Sequence, residues 1–174
     1  LDDSAGEVFD KVARHLGLSY PGGPEISKMS EKIKSSSYNF PRPMINTKCY
    51  NFSFSGLKTH VTQVINKTEL NTEIISEIAF DFENSIIDVL ISKTLKASKN
   101  LKIKNIVVAG GVSANKKLRE RFDKEKSDSI VYFPDLEFST DNGAMIAYMG
   151  WLKSKVDLTN SLEITPHPSS RFVS

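Results

Sequence analysis

Residues 106–122 read "IVVAGGVSANKKLRERF", and the fold turns on them. "IVVA" is a short, continuous, largely β-branched run, the composition of a strand buried on both faces, and two glycines stop it abruptly. Beyond them the sequence takes helical spacing, with Ser113 and Asn115 in the first turn and basic and acidic residues alternating later. A second run, "SIVYF" at 129–133, ends at Pro134, and a last helical pattern spans about 140–153. Strand, helix, strand, helix predicts an α/β layered lobe. The junction also has chemistry. Glycines let a ligand approach the backbone, and free N–H groups at a helix start attract anions, so phosphate is its natural guest. "GGVSAN" is neither a Walker loop nor a GxGxxG fingerprint, however, and a plain strand-to-helix turn is the other reading.

Upstream the pattern is helical. In "DDSAGEVFDKVARHLGL", Ala5, Val8, Phe9, Val12, Ala13 and Leu16 recur at helical spacing, Asp or Ser caps the start, and Gly17 stands where a terminating glycine would. "YPGGP" at 20–24 predicts a turn outside regular structure, and "EISKMSEKI" after it a short helix. Residues 34–48, rich in Ser, Asn and Pro, read as a surface loop. Phe52 and Phe54 alternate with polar residues in a strand-like way, before "SGLKTHVTQVI" returns to helical spacing with Ser55 as a candidate cap. The longest element covers 72–98, where Ile75, Ile78, Ala79, Phe82, Ile86, Val89, Leu90 and Lys93 mark one face.

Composition sets the bounds. The 174 residues are 39% hydrophobic and 25% charged, enough for a real core in one domain or lobe. A formal charge of +2 gives little bulk attraction for nucleic acid, so an RNA contact would need a local patch. The single Cys49 excludes an internal disulfide or a cysteine metal cluster, suits a reducing cytoplasm, and is expected to be a buried or inert thiol. No apolar run reaches the roughly 18 residues of a membrane span, and the acidic opening "LDDSAGE" is unlike a signal peptide. The expected location is the cytoplasm. Because the chain starts at Leu1 rather than Met, it is expected to be a piece of a longer protein.

Judged one by one, the candidate site residues have bland readings. Asp10 has Arg14 four residues on, the spacing of a solvated ion pair. Asp141, in "FSTDNGAMIAY", sits where a helix cap belongs. Lys58 in "FSGLKT" could meet an anion or simply be solvated. His15 belongs at a helix end, His60 on a partly buried helix position and His167 in the tail, and no HExxH or HxxxH pair is present.

Taken together the loops say more. "DDSAGEVFDKVARHLGLSYPGGP", "FPRP", "FSFSGLKT", "VVAGGVSANKKLR" and "STDNGAMIAY" follow one another in an order and spacing that resembles the bacterial TsaD family, tRNA N6-adenosine threonylcarbamoyltransferases once called glycoproteases. The resemblance runs from residue 1 to about 155 and leaves 156–174 as a C-terminal tail. It implies an actin-like ATPase architecture, of which this chain would be a partial second lobe with a helical insertion. The implied reaction moves a threonylcarbamoyl group from threonylcarbamoyl-AMP to N6 of adenosine 37 in tRNAs reading codons that begin with A.

By the same resemblance, the family's substrate-binding positions fall on Asp10 in "VFDKVA", Gly23 in "YPGGP" and Asn115 in "VSANKK", with Asp141 as a ligand of a divalent metal, iron. No general acid, base or nucleophile is assigned. The implied partners are the tRNA, a TsaB-type paralogue, a TsaE-type ATPase and the N-terminal lobe of the same protein. The family's two histidine metal ligands, four apart on a helix of that lobe, and its "SGGHT" loop are not in this sequence, so the chain alone is expected to hold metal poorly and to be inactive. Asn51 stands where the family has Asp, and the tail lacks an "RPRW"-like ending. A non-catalytic, nucleotide- or partner-binding actin-like piece is the rival reading. The older metalloprotease assignment finds no HExxH here, and the unbroken loop series weighs against another actin-like kinase.

Overall fold

The computed structural model describes residues 2–156; the predicted tail, His167 included, otherwise lies outside the described residues. The chain divides into two compact units, residues 1–140 and 141–174. Among the described residues, six α-helices and a pair of short strands make up the regular structure, an α-rich arrangement with a small sheet.

Helix α1 (Ala5–His15) starts at Ser4, whose hydroxyl accepts from Glu7 N at 3.3 Å. It ends as its sequence predicts. Gly17 takes φ +72°, and the N–H groups of Gly17 and Leu18 return to the carbonyls of Arg14 and Ala13 at 3.1 and 2.9 Å, a Schellman closure. Helix α2 (Gly22–Ser30) corrects the reading of "YPGGP" as a turn alone, because the helix begins inside it. Two facts allow this. Pro24 falls in the first turn, where an N–H has no intrahelical partner to lose. The N–H of Gly22 is satisfied by Asp10 Oδ1 of α1 at 2.7 Å. Gly22 is also the contact point of the two helices, since a Cβ there would lie 2.6 Å from Ala13 Cβ and 2.7 Å from Asp10 Cα.

The strand expected around Phe52 and Phe54 is not formed. Among the described residues no neighbouring strand offers a ladder, and Phe54 N instead donates to Asp2 at 3.2 Å while its ring is buried. Helix α3 (Ser55–Ile65) follows, and Ser55 is its first residue rather than its cap, donating to Asp2 at 2.7 Å. The hydroxyls of Ser53 and Ser55 pull the Asp2 carboxyl down to about 2.

Helix α4 (Thr72–Leu101) is the axis of the first unit, opened by Asn71, whose side chain accepts from Ile74 N at 2.9 Å. Its predicted face packs on α1–α3 through Ile78, Phe82, Ile86 and Val89; Phe82 meets Phe9 edge-on at 5.3 Å. A second face, not anticipated, buries Ile87 and Ile91 against Leu118 and Phe122. The segment 34–48 is a loop, as its composition predicts, and it is anchored to α4. Phe40 is buried, Arg42 pairs with Asp81 and Asp88 at 2.9 and 3.0 Å, and the buried Lys93 ammonium donates to Met44 O, Thr47 Oγ1 and Cys49 O at 2.8–2.9 Å. Cys49 itself is exposed, which corrects the buried-thiol reading, and Thr47's hydroxyl holds its thiol below the ordinary range.

Strands β1 (Asn105–Val107) and β2 (Ile130–Tyr132) pair in parallel, with Ile106 opposite Val131. Helix α5 (Lys116–Glu125) lies between them in sequence. Only one face of the pair is covered: Ile106 is buried, whereas Val107 is 75% exposed, so the expectation of a doubly buried strand fails. In the second unit, α6 (Gly143–Ser154) begins later than the predicted Thr140. Among the described residues, no helix is long and apolar enough to cross a membrane.

Candidate functional site

Three elements of the first unit converge on a cavity of about 400 Å³. Helix α1 contributes Gly6, Phe9 and Asp10, the start of α2 contributes Pro21, Gly23 and Pro24, and the 3-10 turn Gly111–Ala114 with the start of α5 contributes Gly111, Asn115 and Lys116. Asp10, Gly23 and Asn115, three positions far apart in the sequence, therefore line one space. Two helix N-termini open on it, which gives the wall a positive polarity suited to an anion.

Each side chain has a local reason for its place. The solvated Asp10–Arg14 pair is not formed. Asp10 is half-buried and spends Oδ1 on Gly22 N, which leaves Oδ2 with no protein donor among the described residues. Gly23 is open: a Cβ there would meet no atom within 4 Å, in contrast to the crowded Gly22. The polypeptide enters the turn through Gly110 at φ +87°, a backbone state that favours glycine. Asn115 then caps α5, accepting from Leu118 N at 2.8 Å.

Behind Asn115 lies a buried polar network that the sequence reading missed. Its amide nitrogen donates to Glu83 Oε1 at 2.8 Å and Ser27 Oγ at 3.0 Å, Ser27 donates to the same carboxylate at 2.6 Å, and Lys117 pairs with Glu83 Oε2 at 2.8 Å. Burial pushes the Glu83 carboxyl up, but the Lys117 charge and the donated hydrogen bonds outweigh it, and the net shift is downward. One signal in the sequence could have found it. Glu83 stands four residues after Ala79 and four before Ile87, a charge on the apolar stripe of α4, and such a charge requires a partner. Arg119 fixes the turn from the other side, donating to Ser113 O at 2.6 Å and Pro134 O at 2.7 Å.

The remaining candidates lie elsewhere. Lys58 meets a protein carboxylate, Asp3, rather than open solvent. His60 is exposed, not partly buried, and His15 is exposed in the last turn of α1. Asp141, in the second unit, is exposed and does not cap α6. That role is taken by Asn142, whose side chain accepts from Met145 N at 2.9 Å. Among the described residues, no three His, Cys, Asp or Glu side chains cluster closely enough to hold a metal ion. Asp141 is a single donor, short of the donor set a transition metal takes.

The profile of the TsaD family, tRNA N6-adenosine threonylcarbamoyltransferase, matches residues 1–148. The chain belongs to the TsaD family. Curated relatives that carry the family's transferase name are similar along almost the whole chain. A protein of Thermosipho africanus is 48% identical over 171 residues, 96% of this chain and 52% of its own length. One of Buchnera aphidicola is 49% identical over 171 residues, 97% of this chain and 51% of its own, and one of Ralstonia pickettii is 48% identical over 164 residues. The chain thus spans about half the length of the TsaD relatives it matches.

Proposed function

We propose that this chain is the part of a TsaD-type enzyme that binds threonylcarbamoyl-AMP, and that the whole protein transfers its threonylcarbamoyl group to N6 of adenosine 37 in tRNA. The observation that carries the reading is the shared cavity: Asp10, Gly23 and Asn115, the positions matching the family's substrate-binding residues, line one space between two helix N-termini. The N–H groups at the starts of α2 and α5, with Lys116, suit the phosphate of the adenylate. Asp10 Oδ2 suits a donor on its nucleoside half. The bond that breaks joins the carbamoyl carbon to the phosphate oxygen. AMP leaves as the dianion that such a wall favours, and the adenosine N6 gives up a proton as the new carbamoyl–nitrogen bond forms. An actin-like two-lobed architecture, TsaB- and TsaE-type partners and a cytoplasmic location follow from the same reading. The reading also includes a divalent metal, iron, with Asp141 as one donor. The described residues do not complete such a site, and no step is assigned to it.

The test joins this chain to the N-terminal half of the Thermosipho africanus relative and assays threonylcarbamoyl transfer to tRNA. Product formation is expected, with a loss of at least tenfold in Asp10→Ala and Asn115→Ala. A folded, metal-loaded chimera that yields no product refutes the transferase reading.

A further inference from the structure

Residues 93–104, "KTLKASKNLKIK", place five lysines across the end of α4, and the structure divides them. Two are spent on the protein: Lys93 donates to Met44 O, Thr47 Oγ1 and Cys49 O at 2.8–2.9 Å, and Lys96 to Thr47 O at 2.8 Å. Lys99, Lys102 and Lys104 are exposed, and among the described residues their ammonium groups have no hydrogen-bond or ion-pair partner. These three line a second cavity, of about 580 Å³, with Glu125 from the end of α5 and Lys126 and Asp128 from the turn after it. The acids do not neutralise it. Glu125 is taken by Arg121 at 2.7 Å and Lys126 by Asp123 at 2.5 Å, which leaves Asp128 to set against three free ammonium groups. The positive excess of this lining equals the formal +2 of the whole chain. Basic residues do gather at helix C-termini, where they answer the partial negative charge, but that effect ends with the last turn. It accounts for Lys99 and not for Lys102 or Lys104, which lie beyond Leu101 on the connection to β1.

We propose that this second cavity docks the phosphodiester backbone of the tRNA, a role that rests on the transferase reading. Its place in the fold supports the assignment. Helix α5 joins the two cavities: Lys116 at its start lines the candidate site, Glu125 at its end lines this one, and ten helical residues at 1.5 Å each set them roughly 15 Å apart. An enzyme that modifies one base takes that base at its reaction site and holds the rest of the polymer by its backbone. A span of roughly 15 Å is less than half a turn of a nucleic-acid duplex, about 34 Å, so a stem can rest on the lysines while its loop reaches the candidate site. Lysine ammonium groups are point charges without the planar fork of arginine, so the docking is to phosphate and carries no base sequence.

The test measures binding of this chain to an RNA hairpin with the anticodon stem and loop of a tRNA that reads codons beginning with A, by fluorescence anisotropy between about 50 and 200 mM salt. Wild type should bind, with affinity falling steeply as salt rises. The triple variant Lys99→Gln, Lys102→Gln, Lys104→Gln should weaken binding by roughly tenfold or more and lower the slope of log affinity against log salt by about 2 to 3. A control triple with the same change of net charge, Lys28→Gln, Lys48→Gln, Lys67→Gln, should change both far less. AMP, titrated separately, should bind the first triple as it binds wild type. Failure of wild type to bind the hairpin, an unchanged slope in the first triple, or an equal fall in the control overturns the docking site. Inorganic phosphate that binds the lysines while the hairpin does not would make the cavity a site for a free anion, and overturns it as well. If the hairpin binds through the three lysines but AMP does not bind at all, the nucleotide reading of the first cavity fails and the docking site stands.

Discussion

The helical layer of the first unit and its strand pair follow opposite rules. Helices α1–α4 close their own core: Val8, Val12, Ile26, Leu57, Phe82 and Ile86 are all fully buried. The strands carry residues just as apolar, yet Val107, Ile130 and Tyr132 stay at least half exposed. A helix of α4's length can find cover on two sides from its own sequence neighbours, whereas a strand run composed for two covered faces needs a layer on each. Here α5 supplies one, through Leu118 and Phe122 packed with Val131 and Phe133. Two strands of three residues would not stand alone in water, so the pair depends on that helix. The candidate site draws on both regions, taking Asp10 and Gly23 from the helices and Asn115 from the turn that follows β1.

If the helical layer carries the stability, cutting it should dominate every other change. Phe82→Ala removes a fully buried ring that meets Phe9 at 5.3 Å, and should cost ~3–5 kcal/mol in denaturant unfolding. A loss below about 1 kcal/mol would mean that the core can collapse around the gap and that the contrast with the strands is overstated. Gly22→Ala probes the same layer at its tightest point. The new Cβ would meet backbone and a short side chain at under 3 Å, groups that cannot swing aside, so α2 must shift from α1 at a cost of ~1–3 kcal/mol. Because Gly22 N also holds Asp10, AMP affinity should fall with it. Gly23→Ala, with open space around it, should leave stability nearly unchanged.

What could be seen in the sequence divides along the same line. Periodicity revealed α1 and α4, and Gly17 revealed the end of α1, because these depend on residues a few places apart. The start of α2 inside "YPGGP" was hidden, since the N–H that permits it is satisfied by Asp10, twelve residues earlier. Phe52 and Phe54 looked like a strand because alternation reports side chains and not whether a neighbouring strand exists. For Asp10 the nearby Arg14 misled, and for Asp141 the cap lay one residue on, at Asn142. Glu83 was legible only as an anomaly, a charge on an apolar stripe, while its partners lie 56 and 32 residues away at Ser27 and Asn115.

The smallest effect should come from the exposed strand face, and it is the sharpest test of the contrast. Val107→Thr keeps the β-branched shape and places a hydroxyl where the side chain is three-quarters exposed. Little apolar area leaves the protein's interior, so unfolding should change by no more than ~0.5 kcal/mol, well below the Phe82→Ala effect. Self-association is the second readout. Val107, Ile130 and Tyr132 form an apolar face on a pair whose outer edges are unpaired among the described residues, the combination that invites contact between chains. Sedimentation of the Val107→Thr chain should therefore show less association than wild type at equal stability. A large loss of stability instead would place Val107 inside the core economy of the helices, and the two regions would no longer be distinct.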